Sequence, residues 1–327
     1  MNKVKELDYN NNCVLSYKKT EIRVFAPATV ANVVCGFDVL GFAVNAPGDE
    51  VVMRLVDTPG VKLVKITGDE GKLPMSSEKN TVSASVMHYL KHIGREDIGV
   101  EIELHKQMPI GSGLGSSSAS TVAGLYAINQ LMGNKLSPQE LLPFAMKGEE
   151  VACGYGHADN VAPALMGGFV LIRSYDPLDV ISLPVPQGMH AAIVYPEVEV
   201  PTKDARRMIR SKIQLKDAVT QWGNIAGLVS GLFLNDLDLV GRSMQDVLVE
   251  PTRSILIPDF EQLRAIATQH GAVGFGISGS GPSVFALTKD KTSAEQITKA
   301  QQAHLQKLAI KSHAFVSAVN TQGPQTL

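Results

Sequence analysis

The sequence predicts an α+β protein built in two parts. Segments of alternating apolar and polar residues, the period of a half-buried strand, are interleaved along the chain with longer stretches of helical pattern. Prolines 177, 184 and 186, followed by Gly188, interrupt that pattern and divide residues 21–187 from residues 188–327. With 327 residues, 44% of them apolar and 19% charged, the chain can bury a substantial core and lies outside the disordered class.

Composition also excludes some functions. The formal net charge is −2, and Lys18-Lys19 and Arg206-Arg207 are too short to form a basic patch, which argues against nucleic acid as a partner. No apolar run reaches the length of a membrane span, and no signal peptide precedes the first strand pattern. Cys13, Cys35 and Cys153 fit neither a disulfide framework nor a zinc spacing. These features predict a reduced, cytoplasmic protein with no membrane partner.

In chain order, residues 1–20 are polar and without periodicity, and are expected to form a loose extension outside the fold. Ile22, Val24 and Ala26 alternate as a strand that ends at Pro27. From Ala28 to Val44 only Thr29, Asn32 and Asp38 are strongly polar. An Asp in such surroundings is expensive to bury unpaired, so it either binds something or holds a tight turn beside Gly36. Strands are predicted over 50–56 and 61–66, and Asn80 reads as the cap of a helix over 82–93. Val100, Ile102 and Leu104 alternate with Glu101 and Glu103 as another strand.

The stretch from Pro109 to Ser120, Pro-Ile-Gly-Ser-Gly-Leu-Gly-Ser-Ser-Ser-Ala-Ser, follows that strand and opens an apolar helix running to Met132. Strand, glycine turn and helix start together aim main-chain amides and a positive helix end at one point, where phosphate commonly binds. Gly111, Gly113 and Gly115 permit positive φ and leave no Cβ in a phosphate's way. The hydroxyls of Ser112, Ser116 and Ser117 can donate to phosphate or ligate magnesium. The loop lacks the lysine of a Walker A motif, and its third glycine comes one residue too early for a dinucleotide fingerprint. The plainer alternative is a serine-capped helix with no ligand.

Ser137-Pro138-Gln139-Glu140 is a capping box with proline at the first helical position, opening a helix to about Val151. Glu149 and Glu150 sit at its C-terminal end, where the helix dipole disfavours acid, so either one of them serves a cation or both are solvated. His157, Asp159 and Asn160 stand in an otherwise apolar loop, either as a site floor or bonded to their own backbone. Beyond the break come a strand at 190–195, a helix capped by Pro201-Thr202-Lys203-Asp204 that bears Arg206, Arg207 and Arg210, and helices over 214–234 and 237–248. Arg253, beside Ile255-Leu256-Ile257, should be partly buried, with either Glu250 or an anionic ligand as partner. Ser278-Gly279-Ser280-Gly281-Pro282 is expected to make a tight β-connection, and a helix over 291–308 with a strand over 313–319 completes a βαβ-like layer.

Three separated stretches then line up. Ala26–Gly41, Pro109–Ser120 and Gly276–Phe285 resemble the three signatures of the galactokinase, homoserine kinase, mevalonate kinase and phosphomevalonate kinase (GHMP) superfamily. Gly156–Ala164, Thr202–Arg206 and Glu250–Arg253 resemble its homoserine kinase branch. The resemblance implies an N-terminal domain like domain 2 of ribosomal protein S5 and a ferredoxin-like C-terminal domain, with ATP and the second substrate meeting between them. It implies Asn80 near adenine and ribose, and Pro109, Ile110, Gly111, Ser112, Gly113, Leu114, Gly115, Ser116 and Ser117 around the triphosphate. It also implies Ser117 and Glu149 on magnesium, and Asn32, Asp38, His157, Asn160, Arg206 and Arg253 around L-homoserine, with Asn160, Arg206 and Glu149 serving catalysis.

The implied reaction, in the threonine branch of amino-acid biosynthesis, moves a phosphoryl group from ATP to the homoserine hydroxyl. Asp38 would take the substrate ammonium, and Arg206 and Arg253 its carboxylate. Mevalonate-type members carry Asp where this chain has Asn160, which cannot accept a proton. The expectation is therefore direct transfer without a protein base. Ser118, where many members have Ala, is expected to be silent. A homodimer through the C-terminal part follows by analogy alone. A sibling small-alcohol kinase and a catalytically silent metabolite sensor are the other readings, and the intact Ser117 and Glu149 argue against the sensor.

Overall fold

The computed structural model describes residues 20–154, 156–200 and 206–327. The expected N-terminal extension up to residue 19 and the helix cap at 201–204 lie outside the described residues.

The first sheet contains β1 (Glu21–Ala31), β2 (Leu40–Val56), β3 (Gly60–Thr67), β4 (Gly99–His105), β5 (Phe169–Tyr175) and β6 (Leu178–Leu183). Its spine runs β1-β2-β4-β3, with β5 paired to the first residues of β2 and β6 paired to β5. The first strand does not end at Pro27. The register shifts between Pro27 and Thr29, and pairing resumes with Thr29 opposite Ala43 and Ala31 opposite Gly41. A proline cannot donate to the ladder, and an irregularity at that point lets the strand continue past it. The apolar stretch over 28–44 is therefore two paired strand ends joined by a turn over 32–39.

Helices α1 (Thr81–His92), α2 (Ser116–Leu131), α3 (Pro138–Cys153) and α4 (Ala158–Met166) complete the first part. The α2 helix lies on β1 and β2, with α1, α3 and α4 against it. It is buried on nearly every side, as its unbroken run of small and apolar residues requires. The predicted capping box at Ser137 and Glu140 opens α3.

The second sheet is antiparallel, in the order β10 (Ser312–Ala318), β7 (His190–Pro196), β9 (Val284–Thr288), β8 (Gly274–Ile277). Between β7 and β8 come α5 (Leu215–Leu234), α6 (Leu237–Ser243), the short turn α7 (Glu250–Arg253) and α8 (Phe260–Gln269), and α9 (Lys291–Lys307) joins β9 to β10. This is the split βαβ arrangement of a ferredoxin-like domain. The helix expected to reach residue 248 stops at Ser243. The Asp246 carboxylate accepts the N–H groups of Leu248, Val249 and Glu250, and so starts α7 in place of prolonging α6.

The C-terminal tail departs from the expected division. After β10 it returns to the first sheet, where Asn320 N–H donates to Ala43 (2.8 Å) and β11 (Gln325–Thr326) pairs with β1. The apolar core is also continuous across the two parts. Phe42 on β2 packs against Phe169 at 4.8 Å and against Phe285 on β9 at 5.7 Å between ring centroids. None of the described helices is long and apolar enough to cross a membrane.

Candidate active site

Gly111, Gly113 and Gly115 all adopt positive φ, at 73°, 79° and 65°. The reasons differ from residue to residue. A Cβ on Gly111 would meet nothing within 4 Å, so that side of the loop faces open space. A Cβ on Gly113 would lie 2.5 Å from the Ser278 carbonyl, and one on Gly115 would lie 2.1 Å from Thr29 Oγ1 and 2.7 Å from Asn160 Oδ1. The last two glycines therefore admit protein, not ligand. The Ser278–Pro282 turn does more than connect β8 to β9. Ser278 Oγ donates to the Gly113 carbonyl (2.7 Å), and Ser283 N–H donates to the Ser112 carbonyl (3.2 Å), so the C-terminal domain braces the loop from outside.

The serine-capped alternative fails. The cap of α2 is Gly115, in the left-handed region, and no side chain caps the helix. Its first-turn amides thus keep the capacity to bind an anion. The serines are engaged elsewhere. Ser116 Oγ and Ser120 Oγ both donate to Asp49 Oδ2, at 3.1 and 2.9 Å, and Ser117 Oγ donates to Glu149 Oε1 at 2.8 Å. The Ser112 hydroxyl is buried without a hydrogen-bond partner, an unspent donor inside the loop.

Asp49 and Lys106 form a foundation beneath this loop that sequence reasoning missed. Asp49, fully buried on β2, accepts the N–H groups of Gln107 (2.9 Å) and Met108 (3.3 Å) as well as the two serine hydroxyls. Lys106 pairs with Asp49 and donates to the Ser116 carbonyl (2.8 Å) and Ser120 Oγ (2.7 Å). One ion pair therefore ties the entry of the loop to its exit. Burial pulls the Lys106 ammonium below the ordinary lysine range, and the Asp49 charge opposes that pull.

The structure separates the two glutamates at the end of α3. Glu150 is exposed and bonds Lys147 at 2.8 Å, whereas Glu149 is buried beside Ser117. Burial pushes the Glu149 carboxyl above the ordinary range, and the hydroxyls of Ser117 and Ser118 and the Lys106 charge pull it back down. A buried carboxylate next to a hydroxyl, at a helix end that disfavours negative charge, is an oxygen donor set short of positive charge. That chemistry fits a hard divalent cation. Among the described residues no group of three or more His, Cys, Asp or Glu side chains gathers, so a metal here would draw further ligands from its substrate.

Asp38, on the turn over 32–39, has φ of 60°, and its backbone is pinned at both ends. Its N–H donates to Asn32 Oδ1 (3.0 Å), and its carbonyl accepts the Tyr175 hydroxyl (2.7 Å). Its carboxylate accepts two bonds from Arg206, at 3.3 and 2.5 Å, and lies 3.9 Å from His157 Nδ1. Arg253 is buried and donates to the Gly279 carbonyl (3.2 Å), while its anticipated alternative partner, Glu250, pairs instead with Arg264. Asn32 Nδ2 also donates to Gly279, at 2.8 Å. Asn160 accepts the Thr29 hydroxyl at 2.7 Å.

The predicted site residues other than Asn80 therefore come from the turn after β1, the glycine loop and α2, α3, the start of α4, α7 and residue 206. Asn80 has its side chain engaged in the protein. It caps α1 through Val82 N–H, donates to the Pro74 carbonyl, and is buried. Asp159, in the first turn of α4, is buried, and burial together with the nearby Asp38 charge pushes its carboxyl up to about 7. Tyr175 was not anticipated. Its hydroxyl also accepts the Ala158 N–H (3.3 Å), and its ring meets His157 edge-on, so it joins the Asp38 turn to the start of α4.

Known proteins resemble this chain in sequence and fold. Residues 80–168 match the GHMP kinases N terminal domain and residues 228–307 the GHMP kinases C terminal domain. A homoserine kinase of Chlorobium phaeobacteroides is 45% identical over 315 residues, which cover 93% of this chain and 98% of that protein. The crystal structure of homoserine kinase from Cytophaga hutchinsonii superposes with a TM-score of 0.93 at 58% identity, covering 97% of this chain and 100% of that one. The L. major mevalonate kinase, 15% identical with a TM-score of 0.69 and covering 94% of this chain and 98% of that one, shares the fold. The chain belongs to the GHMP kinases and, within them, to the homoserine kinase family.

Proposed function

We propose that the protein phosphorylates the hydroxyl of L-homoserine with ATP, giving O-phospho-L-homoserine for threonine biosynthesis. The observation that carries this reading is the charge layout around Asp38. One carboxylate paired with Arg206 stands beside the Phe37 ring that both Arg206 and Arg253 approach, and the helix behind the glycine loop has no side-chain cap. Homoserine is a zwitterion with a primary alcohol. Its ammonium takes over the Asp38 carboxylate, and its carboxylate takes over Arg206, so the substrate exchanges one ion pair of the protein for two of its own. Mevalonate, with a carboxylate and no ammonium, would take Arg206 and leave Asp38 without a cation, and galactose offers a charged partner to neither group.

The triphosphate lies along Gly111–Ser117 against the first-turn amides of α2, with the Ser112 hydroxyl as an added donor. Ser117 and Glu149 would hold magnesium, which when bound would neutralise charge on the transferring phosphates. Asn160, fixed by Thr29 beside Gly115, borders the place where the two substrates meet. Positioning and fixed dipoles carry the acceleration, and the hydroxyl proton leaves with the transferred phosphoryl group.

A homodimer is part of this reading. On α5, Leu215, Val219 and Trp222 at one end and Phe233 and Leu234 at the other are each more than half exposed, with Gly223, Ala226 and Ser230 exposed between them. A second copy laid antiparallel on this stripe brings opposite bulky ends together over small centres, an arrangement that two-fold symmetry satisfies.

A coupled assay of ADP release with a panel of small alcohols tests the function. Homoserine is expected to be turned over far faster than mevalonate or galactose, and preference for either of those would refute the reading.

A further inference from the structure

Arg206 and Arg253 are like charges drawn to one aromatic ring, that of Phe37. Burial, opposed by Asp38 and reinforced by the Arg206 charge, pushes the Arg253 guanidinium below the ordinary arginine range. Asp38 grips Arg206 in the structure. A substrate ammonium that takes Asp38 weakens that grip at the moment both guanidinium groups must face a carboxylate. Contacts besides Asp38 then bear on where Arg206 sits, and the Phe37 ring is one of them.

Phe37 is situated to do this. Its ring centroid lies 5.4 Å from Arg206 Cζ and 5.1 Å from Arg253 Cζ, both within the range over which a cation is drawn to an aromatic face. A guanidinium group stacks on such a face without spending its N–H donors, which stay available to a carboxylate. The ring is held by its surroundings. It precedes Asp38, whose N–H and carbonyl are fixed by Asn32 and Tyr175. On another side it lines, with Arg253, Val249 and Ile277, a cavity of about 20 Å³, enough for one water molecule.

We propose that Phe37 is a positioning residue for substrate specificity, whose ring holds the Arg206 and Arg253 guanidinium groups so that an α-carboxylate meets both once an α-ammonium has taken Asp38. This rests on the homoserine reading of the site. It adds that discrimination between a carboxylate-bearing amino alcohol and a plain one passes through an aromatic face that need not touch the substrate.

Steady-state kinetics of Phe37→Leu, Phe37→Tyr and a series with mono-, di- and trifluorinated phenylalanine at position 37 test the proposal. Leucine keeps an apolar side chain and removes the π face, and fluorination drains the face at nearly constant shape. The expected result is a KM for homoserine raised about fivefold to tenfold in Phe37→Leu, restored in Phe37→Tyr, and climbing stepwise with fluorination. The KM for ATP and the thermal midpoint should stay level across the fluorinated series. With 3-aminopropan-1-ol, which has the ammonium and hydroxyl but no carboxylate, kcat/KM should be indifferent to the residue at 37. A homoserine KM that is flat across the fluorinated series, or a shift of equal size with 3-aminopropan-1-ol, overturns the role of Phe37 while leaving the kinase reading intact. Failure of the unsubstituted protein to turn over homoserine overturns that reading, and the role of Phe37 with it.

Discussion

Ser117 Oγ stands 2.8 Å from Glu149 Oε1, joining the first turn of α2 to the last turns of α3. The relationship sets a buried acid where both burial and the helix dipole oppose its charge. Such an arrangement costs stability and persists where a cation completes it.

Glu149→Gln should therefore lower turnover by about a thousandfold while making the cation-free protein more stable. The sign follows from the raised carboxyl. A group whose folded pKa lies above its unfolded one contributes stability below the unfolded value and loses it as pH rises through the folded value. The gain of the glutamine variant should thus be small in acid and grow as pH rises from the usual glutamate range towards neutrality. Thermal melts of both proteins across that range, without magnesium, check it.

Arg206→Ala should raise the KM for homoserine about a hundredfold and leave the affinity for ATP within about twofold. Isothermal titration with each ligand separates the two effects. A parallel loss of ATP affinity would place Arg206 on the nucleotide instead.

Asp159→Asn tests whether the transfer needs a protein base. Burial and the Asp38 charge hold the Asp159 carboxyl at about 7, so it would change protonation within the working range of the enzyme. Direct transfer predicts turnover within about tenfold of the parent, since general-base catalysis is worth about a hundredfold or more. A loss of several orders of magnitude, with disappearance of a pH–rate limb near that value, would make Asp159 the base.

Tyr175→Phe keeps the ring against His157 and deletes the hydroxyl that fixes the Asp38 carbonyl. Losing a hydrogen bond worth about 1 kcal/mol should raise the homoserine KM about fivefold, with the KM for ATP unchanged. Initial rates at fixed ATP and varied homoserine measure it.

Trp222→Glu, on the exposed stripe of α5, should convert a dimer to a monomer in analytical ultracentrifugation. An unchanged sedimentation coefficient would remove that face from the assembly.

Much of this architecture is legible in the chain because local rules determine it. The alternation of residues 100–105, the capping box at Ser137 and the turn of three glycines each obey constraints satisfied within a few residues, and each forms where predicted. What escapes prediction depends on residues far apart in sequence. Asp49 and Lys106 are 57 positions apart, Tyr175 reaches back 137 to Asp38, and Ser278 reaches 165 to Gly113. An aspartate on a strand and a lysine after one carry no local mark of pairing, and the two residues of β11 are too few to show a period. Pro27 misled because proline ends most strands, whereas here a register shift absorbs it. From the sequence alone, the three glycines stand as room for phosphate. Two of them are room for the protein's own backbone and side chains, which only the folded chain can show.

A crystal structure with a non-hydrolysable ATP analogue, magnesium and L-homoserine tests the central claim most directly. The account predicts the homoserine hydroxyl oxygen within about 3.5 Å of the γ-phosphorus and in line with its leaving oxygen, the ammonium on Asp38 and the carboxylate on Arg206 and Arg253. An alcohol oxygen remote from that phosphorus, with the Asp38–Arg206 pair still closed, would contradict it.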